Sequence, residues 1–254
     1  MPHAADNLTL TAPPTLWRRH APPCALATAM ALAVGGGTLW AARSAGIPPA
    51  PSAMLTLMAV TIWIGLATAP LSAGAEDAIG ALCRGGIGAD ASLLTLLAAG
   101  FWGGGVVDFW TAAKVYLLWA GLALALSMLT RLARTPPGRA GLAVAGSAVA
   151  AGLMGSLFWS PGLLAALSEP ARSWALKLVL YPNPLAGLTA LAGPKAGFVW
   201  TQTRVLYGIT RIGQDYPAPL LSWWTPFLLW SGAGLALLAG LGLRRAVRSF
   251  LYGA

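Results

Sequence analysis

Six stretches of the sequence contain no charged residue, and each approaches the length that a helix needs to cross a bilayer. These stretches are residues 24–42, 53–71, 91–107, 115–130, 140–159 and 226–243. Glycine, alanine and serine recur within them, and such small residues let membrane helices pack closely. The sequence therefore predicts an all-α fold, a polytopic membrane bundle of about six transmembrane helices that occupies residues 24–243.

The overall composition agrees with a membrane protein. Of the 254 residues, 57% are hydrophobic and only 9% are charged, whereas a soluble domain carries roughly 25% charged residues. The formal net charge of +9 would indicate nucleic-acid binding in a soluble protein. In a membrane protein, Lys and Arg instead collect in the cytoplasmic loops. We therefore expect contact with membrane lipid and no binding of nucleic acid.

The positive charges are distributed unevenly between alternate loops. If the chain crosses the membrane six times, one side holds nine arginines, whereas the short loops on the other side hold Arg43 and Lys114. The nine are Arg18, Arg19, Arg84, Arg131, Arg134, Arg139, Arg244, Arg245 and Arg248. The positive-inside rule then places both termini in the cytoplasm, with residues 1–23 as an N-terminal tail and 244–254 as a basic tail. A cleaved signal peptide is the alternative for the N-terminus, because an arginine pair precedes an apolar stretch there.

One further apolar segment, residues 178–193, carries Pro182, Asn183 and Pro184 near its start. Proline lacks the backbone N–H and disfavours helical geometry in the residue before it, so a continuous helix is interrupted here. A seventh crossing would also move the last three arginines outside. We therefore predict that this segment is a re-entrant or interface-lying hairpin of short helices, within an external region that spans residues 160–225.

The same external region contains two stretches with the pattern of amphipathic helices, residues 160–180 and 199–217. In each of them, leucine or valine alternates with charged residues at helical spacing. Trp223 and Trp224 follow, and indole rings prefer the membrane surface. The region is therefore predicted to be more than a plain loop, with its tryptophans at the membrane surface.

The residue types that catalysis or metal binding requires are scarce. His3 and His20 precede the first apolar stretch, and Cys24 and Cys83 form no Cys-x-x-Cys pair. No paired carboxylates stand within an apolar stretch, and no phosphate-binding loop motif occurs. We therefore expect no intrinsic enzyme activity, no metal site and no cofactor.

Two ionisable residues flank the turn between the third and fourth stretches. Asp108 and Lys114 stand six residues apart at the edge of the predicted membrane region. An ionisable group within a membrane is a functional candidate, but at the end of a span it can reach water. The pattern favours a pair at the membrane boundary.

The predicted cytoplasmic loop at residues 72–92 contains the stretch AEDAIGALCR. This stretch predicts a short helix, because Glu76 and Asp77 lie at its start, where the helix dipole favours negative charge. Glycines follow it and would act as flexible joints. Its apolar face would consist of Ala78, Ile79 and Leu82. Such a helix could dock on a soluble partner, and a plain solvated loop is the alternative.

This combined layout resembles the permease subunits of ABC-2-type transporters. The stretch LATAPLSAGAEDAIGAL is similar to the end of the family's second span as it runs into the coupling helix, with Glu76 and Asp77 where the family has Glu-Arg. The stretch PNPLAGLTAL is similar to its external segment before the last span. PFLLWSGAGLALLAGLGLRRAVRSF is similar to its final span with a basic tail.

The resemblance implies that the chain is half of a membrane pore in the bacterial inner membrane. It would pair with a second permease, identical or different, and with soluble ATP-binding subunits on separate chains. The residues implied in coupling to those subunits are Glu76, Asp77, Ile79, Leu82 and Arg84. The alternative function is a cofactor-free structural or accessory subunit of a larger, energy-transducing membrane complex.

Overall fold

The structure of the protein is a computed structural model that describes residues 16–102, 107–192 and 222–252. Within these ranges the chain forms eight α-helices and no β-strand, so the predicted all-α fold is confirmed. The helices are α1 (Leu16–Ser44), α2 (Pro49–Ala73), α3 (Ala78–Trp102), α4 (Phe109–Thr130), α5 (Pro136–Ala165), α6 (Glu169–Leu180), α7 (Pro184–Ala192) and α8 (Trp224–Tyr252).

Six of these helices, α1 to α5 and α8, are long and apolar enough to cross a membrane, and they indicate an integral membrane protein. Helix α2 lies at the centre of the bundle, because it contacts α1, α3, α4, α5 and α7 and 61% of its apolar window is buried. Helix α8 lies at the periphery, since only 11% of its apolar window is buried and it packs mainly against α4.

All six candidate spans are longer than the sequence windows, and three of them extend into a predicted tail or external region. Helix α1 begins at Leu16, so residues 16–23, predicted as part of a tail, are helical. Helix α5 continues to Ala165, into the region predicted to be external. Helix α8 continues to Tyr252, so its three arginines lie on a helix and not in a tail. No glycine or proline stands in residues 243–252, and nothing in the sequence ends the helix earlier.

The prediction of a separate short helix on flexible joints within residues 72–92 is wrong. Helix α2 ends at Ala73 and α3 begins at Ala78, which leaves a short turn between them. Helix α3 then runs without interruption to Trp102, so the predicted docking helix forms the first turns of a candidate span.

The glycines that we expected to act as joints instead allow close packing. A methyl group at Gly85 would lie 1.9 Å from Ser127 Oγ on α4 and 2.5 Å from Ser72 Oγ on α2. Gly85 therefore marks the place where three helices meet, and only a residue without a side chain fits. In the sequence these glycines indicate a break in the helix. In the structure, Gly85 instead lies where neighbouring helices approach each other closely.

Small residues also join α8 to α4. A methyl group at Gly121 would lie 2.4 Å from Ser231 Oγ, and one at Gly234 would lie 2.6 Å from Leu124 Cγ. The two helices thus approach each other through one small residue from each side, which is a common way for membrane helices to associate. This seam holds an otherwise exposed helix in place.

The region between α5 and α8 contains two short helices. Residues 160–180, which have an amphipathic pattern, are divided between the end of α5 and helix α6. The chain then breaks at residues 181–183, and α7 follows. Helix α7 is almost entirely buried and contacts α2, α4 and α8, so it lies within the bundle and not along its surface. The other amphipathic stretch, 199–217, and residue 193 lie outside the described residues.

The orientation of the bundle remains a prediction that α8 allows to be tested. Ser222 precedes this helix and Ser249 lies in its last turns, and both are exposed. In a variant whose two cysteines are replaced by serine, we expect an impermeant thiol reagent on intact cells to label Ser222→Cys and not Ser249→Cys. Both should react once the membrane is permeabilised. Labelling of Ser249→Cys in intact cells would contradict a cytoplasmic C-terminus.

Candidate functional site

The turn between α2 and α3 lies at the same end of the bundle as the turn between α4 and α5 and the C-terminal part of α8. Asp77 begins α3, because its carboxylate accepts a hydrogen bond of 2.6 Å from the backbone N–H of Gly80. This is an N-cap, which satisfies one of the donors that a helix leaves open at its start. Asp77, predicted to couple the chain to a partner, thus caps a helix, and both Asp77 and Glu76 beside it are exposed.

Two arginines hold this turn from the side. Arg131, which follows α4, donates from Nη1 to the carbonyl of Ala75 at 2.8 Å and from Nη2 to the carbonyl of Glu76 at 2.5 Å. Arg139, in the first turns of α5, donates to the same carbonyl of Ala75. Charge-assisted hydrogen bonds of this kind are stronger than neutral ones. The α2–α3 turn is therefore fastened to the junction between α4 and α5.

The two arginines belong to a larger group that lines a cavity of about 320 Å³. We call it the arginine cavity, and its charged lining consists of Glu76, Arg131, Arg134, Arg139, Arg244, Arg245 and Arg248. The sequence indicated that these arginines share one side of the membrane, but not that six of them converge on one cavity. The separation along the chain hides this convergence, because α4, α5 and α8 are brought together only by packing.

Positive charge is concentrated in the arginine cavity beyond what the acids neutralise. Burial lowers the pKa of the Arg131 guanidinium, the charges of Arg139 and Arg245 lower it as well, and Asp77 raises it. An arginine stays protonated in spite of such shifts. The cavity therefore keeps a strong positive potential, which favours an anion.

The comparisons of the chain with family models, curated proteins and solved structures found no match.

The predicted apolar face of the coupling stretch is divided in the structure. Ala78 and Leu82 pack against a buried cluster around Met128, next to residues of α8. Ile79 points away, with 72% of its surface exposed, and Cys83 one turn later is exposed as well. Residues four apart share a helix face, so the exposed face consists of Ile79 and Cys83. The predicted apolar face omitted Cys83, although Cys83 also lies one turn after Ile79 in the predicted short helix.

Arg84 folds back towards the turn instead of projecting from it. A methyl group at Gly74 would lie 2.8 Å from Arg84 Nη1, so the guanidinium covers the backbone just after α2. Like Asp77, this residue contacts the turn itself. Of the five residues predicted to couple the chain to a partner, Glu76, Asp77 and Ile79 are exposed, and of these three only Ile79 is apolar.

A carboxylate that we assigned to a loop lies within a candidate span. Asp90 is on α3, about 18 Å along the helix from its start, and accepts a hydrogen bond of 2.6 Å from the Tyr116 hydroxyl on α4. The pair lines a small cavity of about 90 Å³ between α3 and α4. Because ionisable residues within spans are costly, they are functional candidates. Asp90 was missed because glycines and polar residues precede it, so this part of α3 does not form an apolar stretch.

Asp108 and Lys114, predicted to pair at the membrane boundary, each have a contact of their own. Asp108 is the N-cap of α4, and its carboxylate accepts a hydrogen bond of 2.8 Å from the N–H of Thr111. Lys114 Nζ lies 5.7 Å from the centre of the Trp223 ring, which is within the range of a cation–π contact. Trp223 in turn stacks on Trp224. These contacts place both residues at the end of the bundle opposite the arginine cavity.

The Pro182–Pro184 segment is held in the bundle by its asparagine. Asn183 is completely buried, and its Oδ1 accepts hydrogen bonds from the N–H groups of Leu185 and Ala186 at the start of α7. Its Nδ2 donates to the carbonyl of Leu153 on α5 at 2.5 Å. Every part of this side chain is therefore used to fix the break between α6 and α7.

The carbonyl exposed by the break is satisfied from α8. Trp230 Nε1 donates to the carbonyl of Pro182 at 2.8 Å. Irregular backbone at membrane depth is tolerated only when protein or water satisfies its polar groups. The α6–α7 break is thus connected through side chains to both α5 and α8.

Proposed function

We propose that the chain is the permease subunit of an ATP-driven transporter of the ABC-2 type. The support is the arrangement of six candidate spans, a pair of short helices before the last of them, and an exposed apolar residue at the basic end of the bundle. ATP hydrolysis would belong to separate soluble chains. The substrate would pass between this chain and a second permease.

The observation that carries the proposal is the way the α2–α3 turn is attached. Ile79 projects beside this turn, while Arg131 and Arg139 tie the turn to the junction of α4 and α5. A partner that pushes on Ile79 would therefore move the α2–α3 turn together with the junction of α4 and α5, because Arg131 and Arg139 bind the two together. It would not merely move a free loop. Rigid coupling of this kind is what the transfer of motion from an ATP-binding subunit to the spans requires.

The proposed partner contact can be tested at Ile79. Ile79→Asp would bury an unpaired charge in the contact, which costs more than the roughly 1–3 kcal/mol that the isoleucine contributes. We expect about tenfold or greater loss of co-purified ATP-binding protein, and a matching loss of ATPase activity. Because Ile79 is exposed, the unfolding temperature of the isolated chain should not change.

Ile79→Leu is the matched control, since it retains an apolar side chain of similar size, and it should retain the partner. Equal recovery of ATP-binding protein with Ile79→Asp and with the unmodified chain would contradict the proposed contact. If no ATP-binding protein accompanies the unmodified chain, the permease proposal is wrong.

In that event the second candidate, an accessory subunit of a larger membrane complex, takes its place. The peripheral position of α8 favours it, because only 11% of its apolar window is buried within this chain. Such a face suits a neighbouring membrane subunit as well as it suits lipid. Isolation of the chain with other membrane proteins, and without an ATPase, would support this function.

A further inference from the structure

The six arginines of the arginine cavity come from three separate parts of the chain. Arg131 and Arg134 lie after α4, Arg139 lies in α5, and the remaining three lie on α8. One carboxylate, that of Glu76, is in the lining. A row of arginines in one loop would serve as an orientation signal alone. Convergence on one volume is an additional property that orientation does not require.

Structural hydrogen bonds occupy only part of this group. Arg131 and Arg139 bind the α2–α3 turn, but Arg134, Arg244, Arg245 and Arg248 donate no hydrogen bond to any residue that the structure describes. Within the same described part of the chain, Arg139 Nε is buried and has no acceptor. The cavity thus presents many more donors than the described part of the chain satisfies.

We infer that the arginine cavity binds a phosphate group. The planar guanidinium donates two parallel hydrogen bonds to phosphate oxygens, and several guanidinium groups around one anion satisfy both charge and donors. The volume of about 320 Å³ holds a phosphate together with a small attached group. The six arginines lie just beyond the ends of the uncharged stretches 115–130, 140–159 and 226–243, which is the depth of lipid headgroups.

Two sources of this phosphate share the same chemistry. One is an anionic phospholipid, since basic pockets at the ends of membrane helices bind such headgroups. The other is a soluble phosphate compound that enters from water. The inference is independent of the proposed transporter function, because it requires neither an ATP-binding partner nor a second permease.

The test compares three double variants of the full chain in nanodiscs. Arg244→Gln with Arg245→Gln removes two charges that make no structural hydrogen bond, and Arg244→Lys with Arg245→Lys keeps the charge without the planar fork. Arg43→Gln with Lys114→Gln is the matched control, because it removes two positive charges at the opposite end of the bundle. The unfolding temperature of each variant in neutral phosphatidylcholine, without added phosphate, establishes that it folds.

One arm of the experiment increases phosphatidylglycerol in the nanodisc and counts retained lipid by native mass spectrometry. The other titrates inorganic phosphate against chloride of equal ionic strength in neutral nanodiscs and follows the rise in unfolding temperature, which binding to the folded state produces. We expect the glutamine pair to bind at least about tenfold more weakly than the unmodified chain, with the lysine pair between them and the control unchanged.

A response to phosphatidylglycerol alone supports the inference and assigns the lipid source, and a response to inorganic phosphate supports it and assigns the soluble source. Absence of both responses in the unmodified chain would overturn it. Equal losses in the glutamine pair and the control pair would also overturn it, because only a general attraction between charges would then remain.

Discussion

Replacement of Gly85 by valine is expected to destabilise the protein by about 3 kcal/mol, at the upper end of the cost of overpacking a core. The added carbon would lie 1.9 Å from Ser127 Oγ and 2.5 Å from Ser72 Oγ, well inside van der Waals contact. These hydroxyls are hydrogen-bonded to each other at 2.9 Å, and both serines are completely buried. The helices have to separate to admit the side chain, and the hydrogen bond is lost as they do so.

Gly86 provides a matched control for this change. It is the next residue of α3, and a methyl group there would meet nothing within 4 Å. Gly86→Val alters helix propensity as Gly85→Val does, and we expect its effect on the free energy of unfolding to stay within about 0.5 kcal/mol. Denaturation in mixed micelles of mild detergent and dodecyl sulfate would measure both. Similar stabilities of the two variants would refute the three-helix contact at Gly85.

Asn183→Leu is the second substitution with a large expected effect, a loss of about 2–4 kcal/mol. Leucine has a similar volume but removes the cap of α7 and leaves the buried N–H groups of Leu185 and Ala186 without an acceptor. It also removes the connection to the carbonyl of Leu153. We expect lower stability and faster proteolysis of the segment that links α5 to α8.

The control for Asn183→Leu lies in the same short helix. Thr189 is also buried, but its hydroxyl donates only to the carbonyl of Ala186 within α7. Thr189→Val therefore removes one local hydrogen bond and leaves no N–H group unsatisfied, so its cost should be about 1 kcal/mol or less. If Asn183→Leu is no more harmful than Thr189→Val, the asparagine does not hold the break as described.

The candidate spans were predictable because apolar length alone specifies a membrane helix. The start of α3 was not, because Arg84, Asp90 and several glycines give its first half the composition of a loop. The bundle accommodates them individually: Arg84 covers Gly74, and Asp90 accepts from the Tyr116 hydroxyl. Such compensation depends on neighbours that are distant in sequence, and hydropathy carries no information about them.

The sequence predicted that the arginines of the candidate site share one side of the membrane, but it did not predict that they line one cavity. The positive-inside rule grouped the arginines of α8 with Arg131, Arg134 and Arg139, but it specifies a side of the membrane and no distances. The prolines at 182 and 184 indicated the break in the helix. The burial of α7 was hidden, because a short helix that is apolar on every side has no polar face from which its orientation follows.

The connection of α8 to the bundle determines the order in which the arginine cavity can arise during synthesis. A nascent chain leaves the ribosome from its N-terminus, so α4 and α5 emerge before α8. Since α8 packs mainly against α4, through Gly121 and Gly234, it docks on a helix that was synthesised before it. Only this step brings the three arginines of α8 to the three that follow α4 or lie in α5. The cavity is thus complete only in a molecule in which α8 has been translated and docked.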